Sequence, residues 1–334
     1  PNTLAATMVT GNTSLHCPPL EEVKVFFLPI VMIIEMIVGL PGNMIALWIF
    51  CFRMKLWKPH TLFLFNLVLA DFLLIVSVPF RIHNHLRGEY WIFGQTWCQI
   101  NLFMLAVNRS ASIAFMTAVA LDRYFKVVHP HHSISRMTLI QAGWLSGLLW
   151  AVVIALRIPL LTTNHLYLNS SHSLCRSFGM YKEETVGIKV HYVAFTVEFF
   201  LPWLVLLYCS ARITCFLRQR QMHRLKKVQR SIRTVAVISL VFTICFMPGV
   251  IIGLWAVYIK KFHPEDCETY KNVTTYFVLC IAFTYLNSTL DPLIYCFSSS
   301  IFHDTFKTHQ SFQLCGKKCE TSQKHRSASQ LNQL

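Results

Sequence analysis

The chain has 334 residues, of which 54% are apolar and 13% charged, with 26 Phe. A soluble domain needs far more charge on its surface, so this balance points to burial in lipid and leaves little room for an additional soluble domain. The formal charge of +15 is unevenly placed, and a nucleic-acid protein would not confine its basic residues to loops between apolar runs.

Residues 1–24 form an N-terminal segment ahead of the first apolar run. No basic stretch, apolar run and small-residue cleavage site precede that run, so the first helix is expected to serve as its own insertion signal. Seven stretches then meet the length of mostly apolar sequence that a membrane helix needs. They cover roughly 25–52, 60–86, 96–125, 139–161, 188–216, 235–258 and 274–297. The expected fold class is all-α: a seven-transmembrane helix bundle over 25–310, with a short amphipathic helix after the seventh span and a cytoplasmic tail over 311–334.

Lys and Arg in the short loops set the orientation. The first loop carries Arg53, Lys55 and Lys58, the second Lys126 and Arg136, and the third a run from Arg218 to Arg233, all without an acid. The alternate loops mix signs, as in Arg87 with Glu89 and Lys182 with Glu183 and Glu184. The expected N-terminus is therefore outside and the C-terminus inside. Glycosylation sequons at Asn12, Asn169 and Asn272 fall on the outer side, whereas those at Asn108 and Asn287 lie within spans.

Cys98 opens the third span and Cys175 lies in the second outer loop, in an oxidising compartment. A bridge between them would pin that loop across the mouth of the bundle. Cys17 with Cys267 is the economical second pairing, although sequence alone does not fix connectivity. Cys315 and Cys319 follow the last span and are either palmitoylation sites or free thiols.

Ionisable and polar residues inside spans are costly and mark function by default. Asp71, Ser112 and Asn287 form a candidate sodium site, because hard cations prefer oxygen ligands, or else a structural hydrogen-bond network. Asp122-Arg123-Tyr124 ends the third span, about 36 Å of helix beyond Cys98, which sets an acid–base pair at the inner mouth. Pro202, Pro248 and Pro292 interrupt spans five, six and seven, where the helices can move.

These residues carry a resemblance. Asn43, the run Asn66-Leu-Val-Leu-Ala-Asp71, Asp122-Arg123-Tyr124, Trp150, Pro202, Cys245-Phe-Met-Pro248 and Asp291-Pro-Leu-Ile-Tyr295 look like the signatures of rhodopsin-like G-protein-coupled receptors, one set per span. The resemblance implies a plasma-membrane receptor, not an enzyme, with no cofactor or metal. It assigns an activation switch to Asp122, Arg123, Tyr124, Phe246, Pro248, Asp291, Pro292 and Tyr295. Phe246 stands where the family usually has Trp, and Ser210 where a Tyr is common in span five. A heterotrimeric G protein is the implied partner. The polar tail adds arrestin and a receptor kinase as candidates, and the basic loops add membrane lipid.

The outer half of the bundle is unusual in sign. Arg109 lies about 16 Å into span three from Cys98, and Arg81 lies in the outer part of span two. A buried guanidinium calls for an anion, and its planar fork fits a carboxylate. The alternative is an internal salt bridge with Glu35 or Glu198. The segments around Asn108-Arg109, His129-Pro-His-His132, Glu198-Phe-Phe-Leu-Pro202 and Phe283-Thr-Tyr-Leu-Asn-Ser288 resemble the hydroxycarboxylic acid and oxoeicosanoid receptor branch. By that resemblance Arg109 anchors a carboxylate, with Arg81, Leu105, Ser177, Phe178 and Tyr285 around it, and the coupling is to inhibitory G proteins. The span-six stretch 245–253 has no arginine and is most similar to the oxoeicosanoid member. An apolar wall with one or two basic anchors suits an oxidised fatty acid, with a small hydroxycarboxylic acid such as lactate or hydroxybutyrate as the alternative. A seven-span organic-acid transporter is the remote rival, and seven spans leave no even inverted repeat for it.

Overall fold

The computed structural model describes residues 22–54, 56–88, 90–162, 166–168, 173–175, 186–219, 226–263, 266–298 and 302. Seven long helices follow in chain order: α1 (Glu22–Trp48), α2 (Pro59–Leu86), α3 (Gly94–Val128), α4 (Leu139–Arg157), α5 (Val186–Gln219), α6 (Lys226–Phe262) and α7 (Cys267–Ser298). A π-helical turn, Ile49–Arg53, continues α1. Each of the seven contains a segment long and apolar enough to cross a membrane. The helices agree with the apolar runs in their middles and differ at the ends: α4 stops at Arg157, whereas α6 starts at Lys226, because helical turns continue into the basic loop.

The solvent these helices expect is visible in what they bury. Trp144 and Ile140 are 79% and 75% exposed, while Asp71, Asn101 and Asp291 are fully buried. Apolar outside and polar inside is the arrangement of a bundle immersed in lipid, where polar groups must find partners within the protein.

Two such partnerships fix helix positions. Pro292 has no amide hydrogen, so the Ser288 carbonyl one turn earlier loses its helical donor. The Asn43 Nδ2 of α1 supplies that bond at 2.8 Å and also donates to the Gly39 carbonyl at 3.2 Å. The approach needs small residues, since a Cβ on Gly42 would lie 2.7 Å from Pro292 Cγ. On the opposite side, Trp150 Nε1 of α4 donates to Asn66 Oδ1 of α2 at 2.8 Å. Helix α4 itself starts on a capping box in which Thr138 and Gln141 exchange bonds.

The helices run through Pro29, Pro41 and Pro79 as well as the three prolines that the sequence singled out. The helical class carries one small addition. Leu166–Leu168 (β1) and Ser173–Cys175 (β2) pair antiparallel, with Leu166 opposite Cys175. Beyond Ser298 only Phe302 is described, packed on Phe50 at 4.9 Å, so the expected short amphipathic helix and the tail lie outside the described residues.

Candidate functional site

At one end of the bundle the Cys98–Cys175 bridge forms, with a Cα–Cα separation of 5.7 Å, and ties β2 to the start of α3. Both cysteines are buried against Trp91 and Leu102, with Phe80, Phe93 and Trp97 packed around them. Trp91 adds a backbone bond to the Ser173 carbonyl at 2.8 Å. Of the second expected bridge, Cys17 lies outside the described residues and Cys267 opens α7. Ser177, Phe178, Asn12, Asn169, Cys315 and Cys319 also lie outside them, whereas Asn272 is exposed on the first turns of α7.

Arg81 is buried under this end. Its Nη1 donates to the Cys175 carbonyl at 2.9 Å and its guanidinium lies 5.6 Å from the Trp91 ring centroid. Nε has no hydrogen-bond partner among the described residues. Arg81, expected beside a ligand, thus also holds the hairpin. Its charge also reaches Tyr285 of α7. Tyr285 and Leu105 both pack on an apolar cluster of Leu28, Met32, Leu74, Val78 and Ala282.

Arg109 is half-buried and sits with its guanidinium 4.0 Å from the Phe195 ring centroid. Neither acid named as its alternative partner is bound to it. Glu198 pairs instead with Arg157 of α4, whose side chain is fully buried, and Ser110 joins them by donating to Glu198 at 2.8 Å. Arg157 Nε and Nη2 contact the same Ser110 hydroxyl at 3.1 and 2.7 Å. Glu35 makes no ion pair among the described residues and packs at the α1–α7 contact, where Thr289 Oγ1 donates to its carbonyl at 3.1 Å. Sequence reasoning missed Arg157. The signal was present, because a lone charge in the apolar run 139–161 deserves the same attention as Arg109.

The three residues of the candidate sodium site do not form one hydrogen-bonded set. Asp71 accepts from Ser288 Oγ at 2.5 Å, from Tyr295 Oη at 3.3 Å and weakly from Asn108 Nδ2 at 3.5 Å. Asn287 donates to Asp291 at 3.3 Å, and the Ser112 hydroxyl has no partner among the described residues. Protein donors thus reach both Asp71 oxygens.

At the other end the expected Asp122–Arg123 pairing is replaced. Lys126, one turn on, holds both Asp122 oxygens at 2.7 and 2.9 Å. Arg123 Nη2 crosses to α7 and donates to the Ser298 carbonyl and hydroxyl at 3.1 and 3.2 Å. Thr234 Oγ1 of α6 donates to the neighbouring Phe297 carbonyl at 3.1 Å, so three helices meet there. Phe246 is buried two residues before Pro248, in an aromatic row with Phe242 and Phe199 that links α6 to α5. Tyr295 is buried between Phe50 and Phe302.

Comparison with known proteins agrees with this arrangement. Residues 42–295 match the family described as 7 transmembrane receptor (rhodopsin family). The chain is 44% identical over 291 residues to the Homo sapiens protein named Hydroxycarboxylic acid receptor 2, covering 86% of this chain and 78% of the relative. It is 39% identical over 315 residues to the Homo sapiens Oxoeicosanoid receptor 1, covering 93% and 78%. The Mus musculus 12-(S)-hydroxy-5,8,10,14-eicosatetraenoic acid receptor is 34% identical over 276 residues, covering 82% and 85%. Seven membrane-length helices with a polar interior, a disulfide-pinned hairpin at one end and an arginine reaching between helices at the other thus coincide with a sequence match over most of the chain. The chain belongs to the rhodopsin family of seven-transmembrane, G-protein-coupled receptors.

Proposed function

We propose that this receptor responds to a carboxylate ligand, an oxidised fatty acid of the oxoeicosanoid kind, held at Arg109, and that it signals through inhibitory G proteins. One observation carries the reading. Arg109 stands on an aromatic ring inside the bundle, and among the described residues no acid pairs with it, because Arg157 holds Glu198. An arginine in a low-dielectric interior without a counter-ion favours an anionic guest, and a planar carboxylate matches its paired donors.

The apolar surroundings support a long acid over a small one. Phe195 and the cluster on which Leu105 and Tyr285 pack offer hydrocarbon contact near Arg109 and Arg81. The small hydroxycarboxylic acid is the second reading, supported by relatives named for such acids. In the proposed orientation the disulfide end faces outward and the Asp122-Arg123-Tyr124 end faces the G protein. Ligand binding shifts the population toward an arrangement in which α6 moves at Pro248 and Arg123 leaves Ser298.

The test is inhibition of cAMP in cells expressing the chain, with and without pertussis toxin, across lactate, short hydroxy acids and oxo-fatty acids. A toxin-sensitive response to oxo-fatty acids that Arg109→Ala abolishes is the expected result. An unchanged response in Arg109→Ala rejects the anchor, and a response to lactate alone selects the small-acid reading.

A further inference from the structure

A groove of about 580 Å³ opens on the outer face of the bundle between α3 and α5. Leu121 and Phe125 of α3 form its floor, and Leu201, Leu204 and Val205 of α5 form one wall. Leu201 and Leu204 are 61% and 58% exposed, so this wall faces the membrane. From Leu201 to Cys209 the groove follows about 12 Å of helix. One leaflet of the hydrocarbon core is about 15 Å deep, so the occupant comes from a single leaflet.

The two ends of the groove differ in chemistry. The Leu201 end is hydrocarbon, whereas the other end carries Tyr124, His129, His132 and Tyr208. Tyr124 Oη and His129 Nε2 are 3.1 Å apart and engage each other. His132 stacks on Phe125 at 4.9 Å, and its Nδ1 accepts the Ile134 amide at 3.2 Å. An accepting Nδ1 puts the proton on Nε2, which leaves an N–H donor at the rim. Arg212 lies beside the Tyr124 hydroxyl, and Arg136 is held in the same loop as His132 by the His131 carbonyl. The nearby carboxylate, Asp122, is held by Lys126. The carbonyls at the carboxyl end of α3 oppose an anion with about half a charge, and two arginines outweigh that.

We infer that this groove is a discrete binding site for one anionic glycerophospholipid, with an acyl chain along Leu201–Val205 and the headgroup phosphate at His132 and Arg212. The site is separate from the basic run Arg218–Arg233, which offers only diffuse attraction. The preference for an anionic headgroup rests on the proposed orientation, which puts this end in the cytoplasmic leaflet, where anionic lipid concentrates. Since Tyr124 belongs to the Asp122-Arg123-Tyr124 segment, an occupied groove holds that segment from the lipid side.

The test uses full-length receptor in phosphatidylcholine nanodiscs doped with diazirine-acyl phosphatidylserine or diazirine-acyl phosphatidylcholine, and locates adducts by mass spectrometry. No receptor ligand is needed, so failure of the carboxylate reading does not affect it. The expected result is roughly 5-fold or greater enrichment of the phosphatidylserine adduct on 201–209 and 121–125, with terminal-acyl labels landing nearest Leu201. His132→Ala with Arg212→Ala should bring the two lipids to equal labelling, and Leu204→Trp should reduce both by filling the trough. Thermal unfolding of each variant shows that it is folded. Equal labelling by the two lipids in the wild type, or enrichment unchanged in the double variant, overturns the proposal. So does displacement of the phosphatidylserine label by free fatty acid at an equal mole fraction.

Discussion

Arg157 and Glu198 form an ion pair between α4 and α5, and the Ser110 hydroxyl is bonded to both. The pair leaves Arg109 without an ion pair among the described residues, while Glu198 stays within electrostatic reach of both arginines. Removing one partner of a buried pair costs about 3–5 kcal/mol, because it strands the other charge. In Arg157→Met the stranded Glu198 is expected to turn to Arg109 and compete with the ligand. Carboxylate potency in the cAMP assay should fall at least ~10-fold, equivalent to about 1.4 kcal/mol. Arg157→Met with Glu198→Gln should recover most of it, because no charge is left to compete. A double variant that reaches the surface yet stays as weak as the single one would show that Arg157 acts only by packing.

Arg81 is expected to act on the hairpin as well as on any ligand. Its bond to the Cys175 carbonyl and its place on Trp91 tie α2 to β2. Arg81→Met leaves that carbonyl buried without its charged donor, a loss of roughly 1.5–3 kcal/mol. Amide hydrogen exchange of residues 173–175 should quicken even without ligand. Exchange that matches the wild type would reduce Arg81 to a ligand contact alone.

The contact between α1 and α7 gives a prediction about stability. A methyl at Gly42 would press on the Pro292 ring, which is stiff, and it would move Asn43 off the Ser288 carbonyl. Overpacking of this kind costs typically about 1–3 kcal/mol. Gly42→Ala should lower the melting temperature of the detergent-purified receptor, and Asn43→Ala should do so by a comparable amount through the unsatisfied carbonyl. Gly143, whose added Cβ meets nothing within 4 Å, is the control, and Gly143→Ala should leave the melting temperature unchanged or raised.

The helices were legible because lipid imposes a length and a polarity that few other environments demand. Apolar runs such as 60–86 announce themselves, and Cys98 and Cys175 pair as their topology suggested. Partner choice was harder to read. Asp122 lies beside Arg123 in sequence, yet successive helical residues point apart, while Lys126 at i+4 shares its face. Periodicity therefore favoured the pair that adjacency concealed. Which of Arg109 and Arg157 takes Glu198 depends on how α4 rotates against α3 and α5, and no spacing along the chain encodes that rotation. The extra partners of Asp71, namely Ser288 and Tyr295, come from a helix more than 200 positions away for the same reason.

That helical geometry carries the last prediction. Lys126 neutralises Asp122, and Arg123 is then free to reach Ser298 of α7. In Lys126→Met the carboxylate loses its partner at i+4, and the Arg123 guanidinium, already within its field, becomes the nearest cation. A carboxylate on Arg123 draws it back along α3 and away from α7. The proposed mechanism needs Arg123 free for the G protein, and a guanidinium held by Asp122 is not, so nucleotide exchange on purified inhibitory G protein should fall severalfold with and without ligand. Lys126→Arg keeps a cation on the same face and should preserve wild-type exchange. If Lys126→Met raises exchange instead, Asp122 does not capture Arg123, and the Lys126–Asp122 pair itself restrains the receptor.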